Sequence, residues 1–278
     1  MINEKDITII IPHWGSSKEQ EYALDQCLLS LKETAPDIRV SIAKNGEKCK
    51  HDGDVWVREQ GQNRAVNATV ATTNTEWIMV TNDDHVYAPG WFEKLVELIE
   101  GTDIRCMSPK LIEPIDGAPT FEKYFCGGAG GDFDKVKWLE FAKNYSPHGG
   151  EQWKCLRTGF NLPFLIKREV FDLISMYDVN YDPYGSNGDS DLEYKIRLAG
   201  VQPYQNTNCI VYHFSQTSGT SNPENRPYWA KNWDYFISKW GFPRTDNGIW
   251  EANFEIPKSP IRKFLPWWEG FYEKNNKG

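Results

Sequence analysis

Apolar and polar positions follow two rhythms along the first hundred residues. Ile7-Thr8-Ile9-Ile10-Ile11 is a continuous β-branched run closed by Pro12, the pattern of a strand buried on both faces. Leu24, Cys27, Leu28 and Leu31 then recur at i, i+3, i+4 and i+7, which predicts an amphipathic helix. Arg39 to Ala43 reads as a second strand, Asp54 to Val57 as a short third, and Asn63 to Ala71 as a helix. Glu76-Trp77-Ile78-Met79-Val80-Thr81 is another apolar strand, and it runs straight into Asn82-Asp83-Asp84-His85. Pro89 opens a helix with a buried stripe of Phe92, Leu95, Val96 and Ile99, and Gly101 stops it. This alternation predicts βαβ units and an α/β fold with a doubly wound, mostly parallel sheet flanked by helices.

The rhythm is lost between 113 and 157, around Gly127-Gly128-Ala129-Gly130-Gly131, and the stretch reads as an irregular substrate loop. No G-x-x-x-x-G-K-[ST] and no strand-linked G-x-G-x-x-G is present. Order returns at Phe164 to Phe171, then in a helix from Asp189 to Ala199 closed by Gly200, then in a strand from Cys209 to Phe214 that carries His213. Trp229, Trp233, Phe236, Ile237 and Trp240 are spaced for one helical face. The chain therefore divides into a main domain at 1–220, with halves 1–112 and 113–220, and an aromatic-rich helical extension at 221–278 predicted to pack on it.

Composition narrows the function. The 278 residues carry a net charge of -8, which disfavours a nucleic-acid binder because such proteins need a basic field. Aromatics reach 14%, with 12 Trp, which suits either a Trp-rich core or contact with the C–H faces of sugars. The six Cys are scattered without a C-x-x-C pair, as expected of reduced thiols rather than a zinc site or disulfide framework. The polar N-terminus and the lack of any apolar run of roughly 20 residues lead to the expectation of a cytoplasmic protein. Phe264, Trp267, Trp268, Phe271 and Tyr272, beside Arg262 and Lys263, suit either packing on the domain or peripheral contact at the inner face of the membrane.

Two acidic clusters carry the chemistry. Asp83 and Asp84 follow a strand, and open α/β sheets bind ligands beyond the carboxyl ends of their strands. Adjacent carboxylates repel one another, and a hard divalent cation relieves that repulsion while bridging to phosphates; a solvated turn is the plain alternative. Asp189-Ser190-Asp191 opens a helix. One of these carboxylates suits helix capping, the other a general base for an acceptor hydroxyl. His213 reads either as a structural histidine or as a third metal ligand beside carboxylates.

Taken in order, these segments resemble the family 2 glycosyltransferases with the GT-A fold. The resemblance runs through Ile7 to Pro12, Cys27-Leu28-Leu29-Ser30-Leu31, Asn63 to Asn67, Asn82-Asp83-Asp84-His85 at the place of the DXD motif, Thr158-Gly159 through Phe171, and Tyr181 to Gly200. It covers roughly residues 6 to 220. It implies a metal-dependent, inverting transfer of a sugar from a UDP-, GDP- or dTDP-sugar to a saccharide, lipid-linked or other hydroxyl acceptor. Asp83 and Asp84 would hold Mn2+ or Mg2+ against the diphosphate, with His213 completing the set. Asp189 would be the base, with Asp191 as the fallback, and Pro12, His13, Trp14, Asn45 and Arg64 would lie near the nucleotide. The acceptor would meet the Gly-rich insert, Trp138, Trp153 or the aromatic tail.

The chain departs from the family pattern at two positions. Lys44 stands where an acidic residue often reads the base, and Gly188 replaces the usual Glu before Asp189. Two other functions follow from these departures or from the shared architecture: a GT-A-like binding or scaffold protein without catalysis, and a nucleotidyltransferase. The latter class carries a Gly-rich basic loop after the first strand, where this chain has His13-Trp14-Gly15-Ser16-Ser17.

Overall fold

Among the described residues, ten strands join in one mixed sheet. They are β1 (Ile7–His13), β2 (Arg39–Asn45), β3 (Val55–Val57), β4 (Trp77–Val80), β5 (His85–Tyr87), β6 (Cys106–Glu113), β7 (Phe121–Lys123), β8 (Trp153–Cys155), β9 (Phe164–Lys167) and β10 (Tyr204–His213). Seven α-helices accompany them among the described residues: α1 (Lys18–Thr34), α2 (Gln62–Val70), α3 (Trp91–Ile99), α4 (Lys135–Asn144), α5 (Arg168–Leu173), α6 (Gly188–Leu198) and α7 (Arg226–Trp240). The structure is a computed structural model that describes residues 2–47, 49, 51–114, 121–147, 153–155, 162–215 and 226–241. The aromatic tail from Phe264 to Tyr272 and the Thr158-Gly159 pair lie outside these residues.

The sheet order is β3-β2-β1-β4-β9-β6-β10-β5, with β7 beside β6 and β8 beside β10. The first half, β3-β2-β1-β4, is parallel throughout, as the β-branched runs predict. The second half is mixed: β9 runs antiparallel to both β4 and β6, while β10 runs parallel to β6 and antiparallel to β5.

Period-two alternation divides the core. On β1, Ile7, Ile9 and Ile11 pack with Leu24, Cys27 and Leu31 of α1 and with the α3 stripe. Ile10, pointing the other way, packs with Val66 and Val70 of α2 and with Leu192 and Ile196 of α6. Trp77 and Met79 against Ile78 and Val80 repeat the split on β4. Both faces of the sheet are thus covered by helices, which explains why these strands carry no polar face. Each fully buried Ile or Leu contributes roughly 1.5–3 kcal/mol of transfer free energy.

The structure differs from the sequence reading in the middle and at the end. The 113–157 stretch is not wholly irregular: Asp134 caps α4 by accepting from the Lys137 N–H, and Trp138 is buried in a third cluster with Tyr212 and Phe214. Trp138 is therefore a core residue rather than an acceptor contact. Only the backbone of Trp153 is described, within β8. On α7 the buried positions are Asn232, Phe236, Lys239 and Trp240, whereas Trp229 stays 47% exposed. The aromatic spacing suggests a purely apolar face, and the helix instead buries an amide and an ammonium because both find partners.

Those partners sit on and before α6. Lys239 Nζ lies 2.7 Å from both Asp178 Oδ2 and Asp191 Oδ1, and Trp240 Nε1 donates to Asp191 Oδ1 at 2.9 Å. Lys195 Nζ is 3.8 Å from the other Asp191 oxygen. Burial lowers the Lys195 pKa to about 8 against the pull of Asp191. Burial pushes Asp178 upward, but the Lys239 charge and hydrogen bond outweigh it and bring Asp178 down to about 2.

Candidate active site

The carboxyl ends of β1 and β4 open into a cavity of about 470 Å3. Pro12 and Trp14 follow from β1, Asn45 ends β2, and Asn82, Asp83 and Asp84 follow β4. The opposite wall comes from 183–189, where α6 begins. A parallel sheet exposes its strand ends here, which is where such folds place ligands.

The two adjacent aspartates have different partners. Asp83 Oδ2 lies 2.6 Å from His13 Nδ1, and His13 is fully buried beneath the cavity. Burial pulls the His13 pKa down, but its bond to Asp83 and the charges of Asp83 and Glu21 raise it above the ordinary value. Asp84 Oδ2 lies 3.2 Å from His213 Nε2, and His213 Nδ1 lies 2.6 Å from Glu113 Oε1. Burial opposes the charge on His213, yet Asp84 and Glu113 prevail and raise its pKa to about 10.

Asp84, His85 and His213 each offer a ligand atom within 4.8 Å of the others. Asp83 is outside this group, and His85, the residue after the aspartate pair, is within it. Strand register explains the meeting: His213 pairs with His85 across the antiparallel β10–β5 ladder. The His85 Nδ1 atom sits 2.8 Å from Thr81 Oγ1, and its buried Nε2 has no hydrogen-bond partner among the described residues. Burial and the nearby His213 hold the His85 pKa down at about 3, so the ring is neutral. An imidazole that is neutral and has an unpartnered Nε2, a carboxylate, and a histidine oriented by a second carboxylate form a donor set that fits a divalent cation once the His85 proton is on Nδ1 or is displaced.

Asp189 lines the cavity from the first turn of α6 and accepts a hydrogen bond from the Tyr177 hydroxyl at 3.2 Å. Burial and Asp189 itself hold the Tyr177 hydroxyl protonated well beyond its usual range. Asp191 is two residues on, about 200° around the helix, and faces the opposite way. It is fully buried and committed to Lys239, Trp240 and Tyr181, so its expected fallback role as base does not fit its position.

Other expected contacts divide in the same way. Pro12, Trp14 and Asn45 line the cavity, while His13 supports it from below. Arg64 is turned to Asp182 at 3.0 Å and to Glu59. Asp182 also accepts the backbone N–H groups of Asn63 at 3.0 Å and Arg64 at 3.1 Å, closing the N-terminus of α2 with a carboxylate. Lys44 lies over the Trp56 ring at 5.7 Å, outside the cavity. A Cβ at Gly188 would lie 2.9 Å from Asn63 Nδ2, so a side chain there must displace the amide that donates to the Asp178 carbonyl. Glu113 and Tyr177 carry no motif of their own, and only the fold brings them to His213 and Asp189.

The family model described as glycosyl transferase family 2 matches residues 8–125. No curated protein sequence matches the chain. Among solved structures, GalNAc-T7 with UDP, GalNAc and Mn2+ superposes with a TM-score of 0.55 at 14% identity, over 98% of this chain and 57% of that one. The chain thus spans little more than half the length of that neighbour. The mannosyltransferase PcManGT from Pyrobaculum calidifontis, in complex with GDP-Man and Mn2+, gives 0.50 at 12% identity, over 96% of this chain and 71% of that one. S. aureus TarS 1-349 gives 0.50 at 12%, over 97% and 73%. These likenesses establish the GT-A fold.

Proposed function

We propose that the protein transfers a sugar from a nucleotide-sugar donor to an acceptor hydroxyl, because residues 8–125 match the glycosyl transferase family 2 model and the fold is GT-A. The reading is carried by one observation: Asp84 and His213, two members of a divalent-cation donor set completed by the buried His85, line the same cavity as a separately held carboxylate, Asp189. Asp84, His85 and His213 are the proposed ligands, with Asp83 acting through His13 on the shape of the turn. A bound divalent cation supplies positive charge against the diphosphate and its developing negative charge.

The remaining work falls to the chain. Trp14 and Asn45 border the nucleotide end of the cavity. Asp189 takes the proton from the acceptor hydroxyl, whose oxygen attacks the anomeric carbon as the carbon–oxygen bond to the diphosphate breaks. One in-line displacement of this kind inverts the anomeric centre. The Tyr177 hydroxyl holds the Asp189 carboxylate in place without competing for the proton, since it stays protonated. UDP- and GDP-sugars with Mn2+ are the first donors to try, because the neighbouring structures hold UDP and GDP-Man with Mn2+.

Calorimetric titration with UDP-, GDP- and dTDP-sugars in Mn2+ tests the reading. Heat with at least one nucleotide, lost in Asp84→Ala, is the expected result. No heat with any donor would overturn it in favour of a binding-silent scaffold.

A further inference from the structure

The cavity wall carries aromatic rings as well as carboxylates. Trp14, Tyr184 and Trp229 line it, and their rings belong to three different parts of the chain. Trp14 meets Tyr184 edge-on with centroids 6.3 Å apart, and Tyr184 meets Tyr228 at 5.0 Å. Tyr228 is 40% exposed and Trp229 47%, although both lie on a helix with a well-packed face.

This arc is held in place. Asn232 Nδ2 donates to the Tyr181 carbonyl at 2.7 Å and lies 3.0 Å from Ser186 Oγ, tying α7 to the loop that carries Tyr184. About two turns further, Lys239 and Trp240 anchor the same helix to Asp191. The rings are therefore fixed in space, partly or largely exposed, and Gln62, Ser186 and Asn187 line the same cavity. Flat apolar surface interleaved with neutral hydrogen-bonding groups suits a molecule that presents C–H patches and hydroxyls together. A lipid tail would call for aliphatic lining, and an anion for cationic lining.

We infer that Trp229 and Tyr184 form a saccharide-binding subsite, so that the acceptor is itself a sugar, held by ring stacking with its hydroxyl toward Asp189. The inference rests on the transferase reading for its meaning, but its test is independent of donor binding. Saturation-transfer NMR on the full chain, with methyl glycosides of glucose, galactose, mannose and N-acetylglucosamine as probes, reads the contact at the sugar C–H protons. At least one glycoside is expected to show transfer. Trp229→Ala should weaken its binding about tenfold, with Trp229→Phe close to wild type. Tyr184→Ala is the second variant, and unchanged melting temperatures confirm that each variant is folded. UDP or GDP binding with Mn2+ should be unaltered in Trp229→Ala, so failure of nucleotide binding in the wild type would indict the donor reading alone. Absence of saturation transfer from every glycoside, or unchanged transfer in both alanine variants, would overturn the subsite.

Discussion

Glu113 and His213 are a hundred residues apart in sequence, and their side chains meet at 2.6 Å. The bond is made at Nδ1, which leaves Nε2 facing Asp84. A carboxylate in this position fixes the ring orientation and raises ligand basicity. Glu113→Gln is therefore expected to weaken Mn2+ binding roughly ten- to hundredfold while leaving the circular dichroism spectrum intact. Metal titration by calorimetry checks it, and wild-type affinity in the variant would remove Glu113 from the site.

The same contacts predict proton release. Without metal, His213 keeps its proton up to about pH 10, whereas a ligating imidazole must be neutral. Mn2+ binding at pH 7 should expel about one proton, and affinity should rise with pH below 10. Calorimetry in two buffers of different ionisation enthalpy measures the count. A value of zero would contradict His213 as a ligand.

Asp189→Asn removes the proposed base and keeps the shape of the first turn of α6. Donor binding should stay within about twofold, while transfer falls by 10²–10⁴. Tyr177→Phe, which removes only the orienting hydroxyl, should cost far less. Turnover assays after a donor-binding control separate the two, and wild-type turnover in Asp189→Asn would end the assignment.

Gly61 has backbone angles open to any residue, with φ at 170°, yet a Cβ there would lie 2.3 Å from Asp182 Oδ2. Gly61→Ala must displace the carboxylate that closes α2, at a cost of about 1–3 kcal/mol from overpacking. Thermal denaturation measures it, and a variant as stable as wild type would show that Asp182 yields freely.

Asp178 tests the anchor of α7. Its folded pKa of about 2 lies below the ordinary carboxylate value, so its ionised form contributes stability above pH 4 that is lost as pH falls toward 2. In Asp178→Asn that acid-side loss should shrink, and stability at pH 7 should drop because Lys239 loses one of its two carboxylates. Lys195 acts at the other end of the scale: with a folded pKa of about 8, the folded state releases its proton first, so stability gains between about pH 8 and 10.5. Denaturant melts across pH read both.

Much of this fold is written locally. The β1 and β4 runs, the α1 and α3 stripes and the Gly101 stop follow from burial on two faces and helical spacing, and the observed bounds lie within a few residues of those read from pattern. Asp84 and His213 come forward because carboxylates and imidazoles after strands invite a metal. Glu113 and Tyr177 do not, since their roles exist only after non-local pairing. The α4 helix hides beside glycines, with Asp134 as the cap that signals it. On α7, an ammonium in a buried position contradicts binary patterning, and only knowledge of Asp178 and Asp191 makes sense of it.

The pairing of His213 with His85 has a consequence for assembly of the molecule. β5 is a three-residue edge strand, and the donor set exists only once β10 has docked on it in the correct register. A slip of two residues would carry His213 roughly 7 Å away. A cation bound there would act as a clasp on the sheet margin, adding RT ln(1 + [M]/Kd) to the native state and nothing to an opened edge. Amide exchange at Val86 and Tyr212 should then slow when Mn2+ is added, so that this edge pairing reports whether the site is filled.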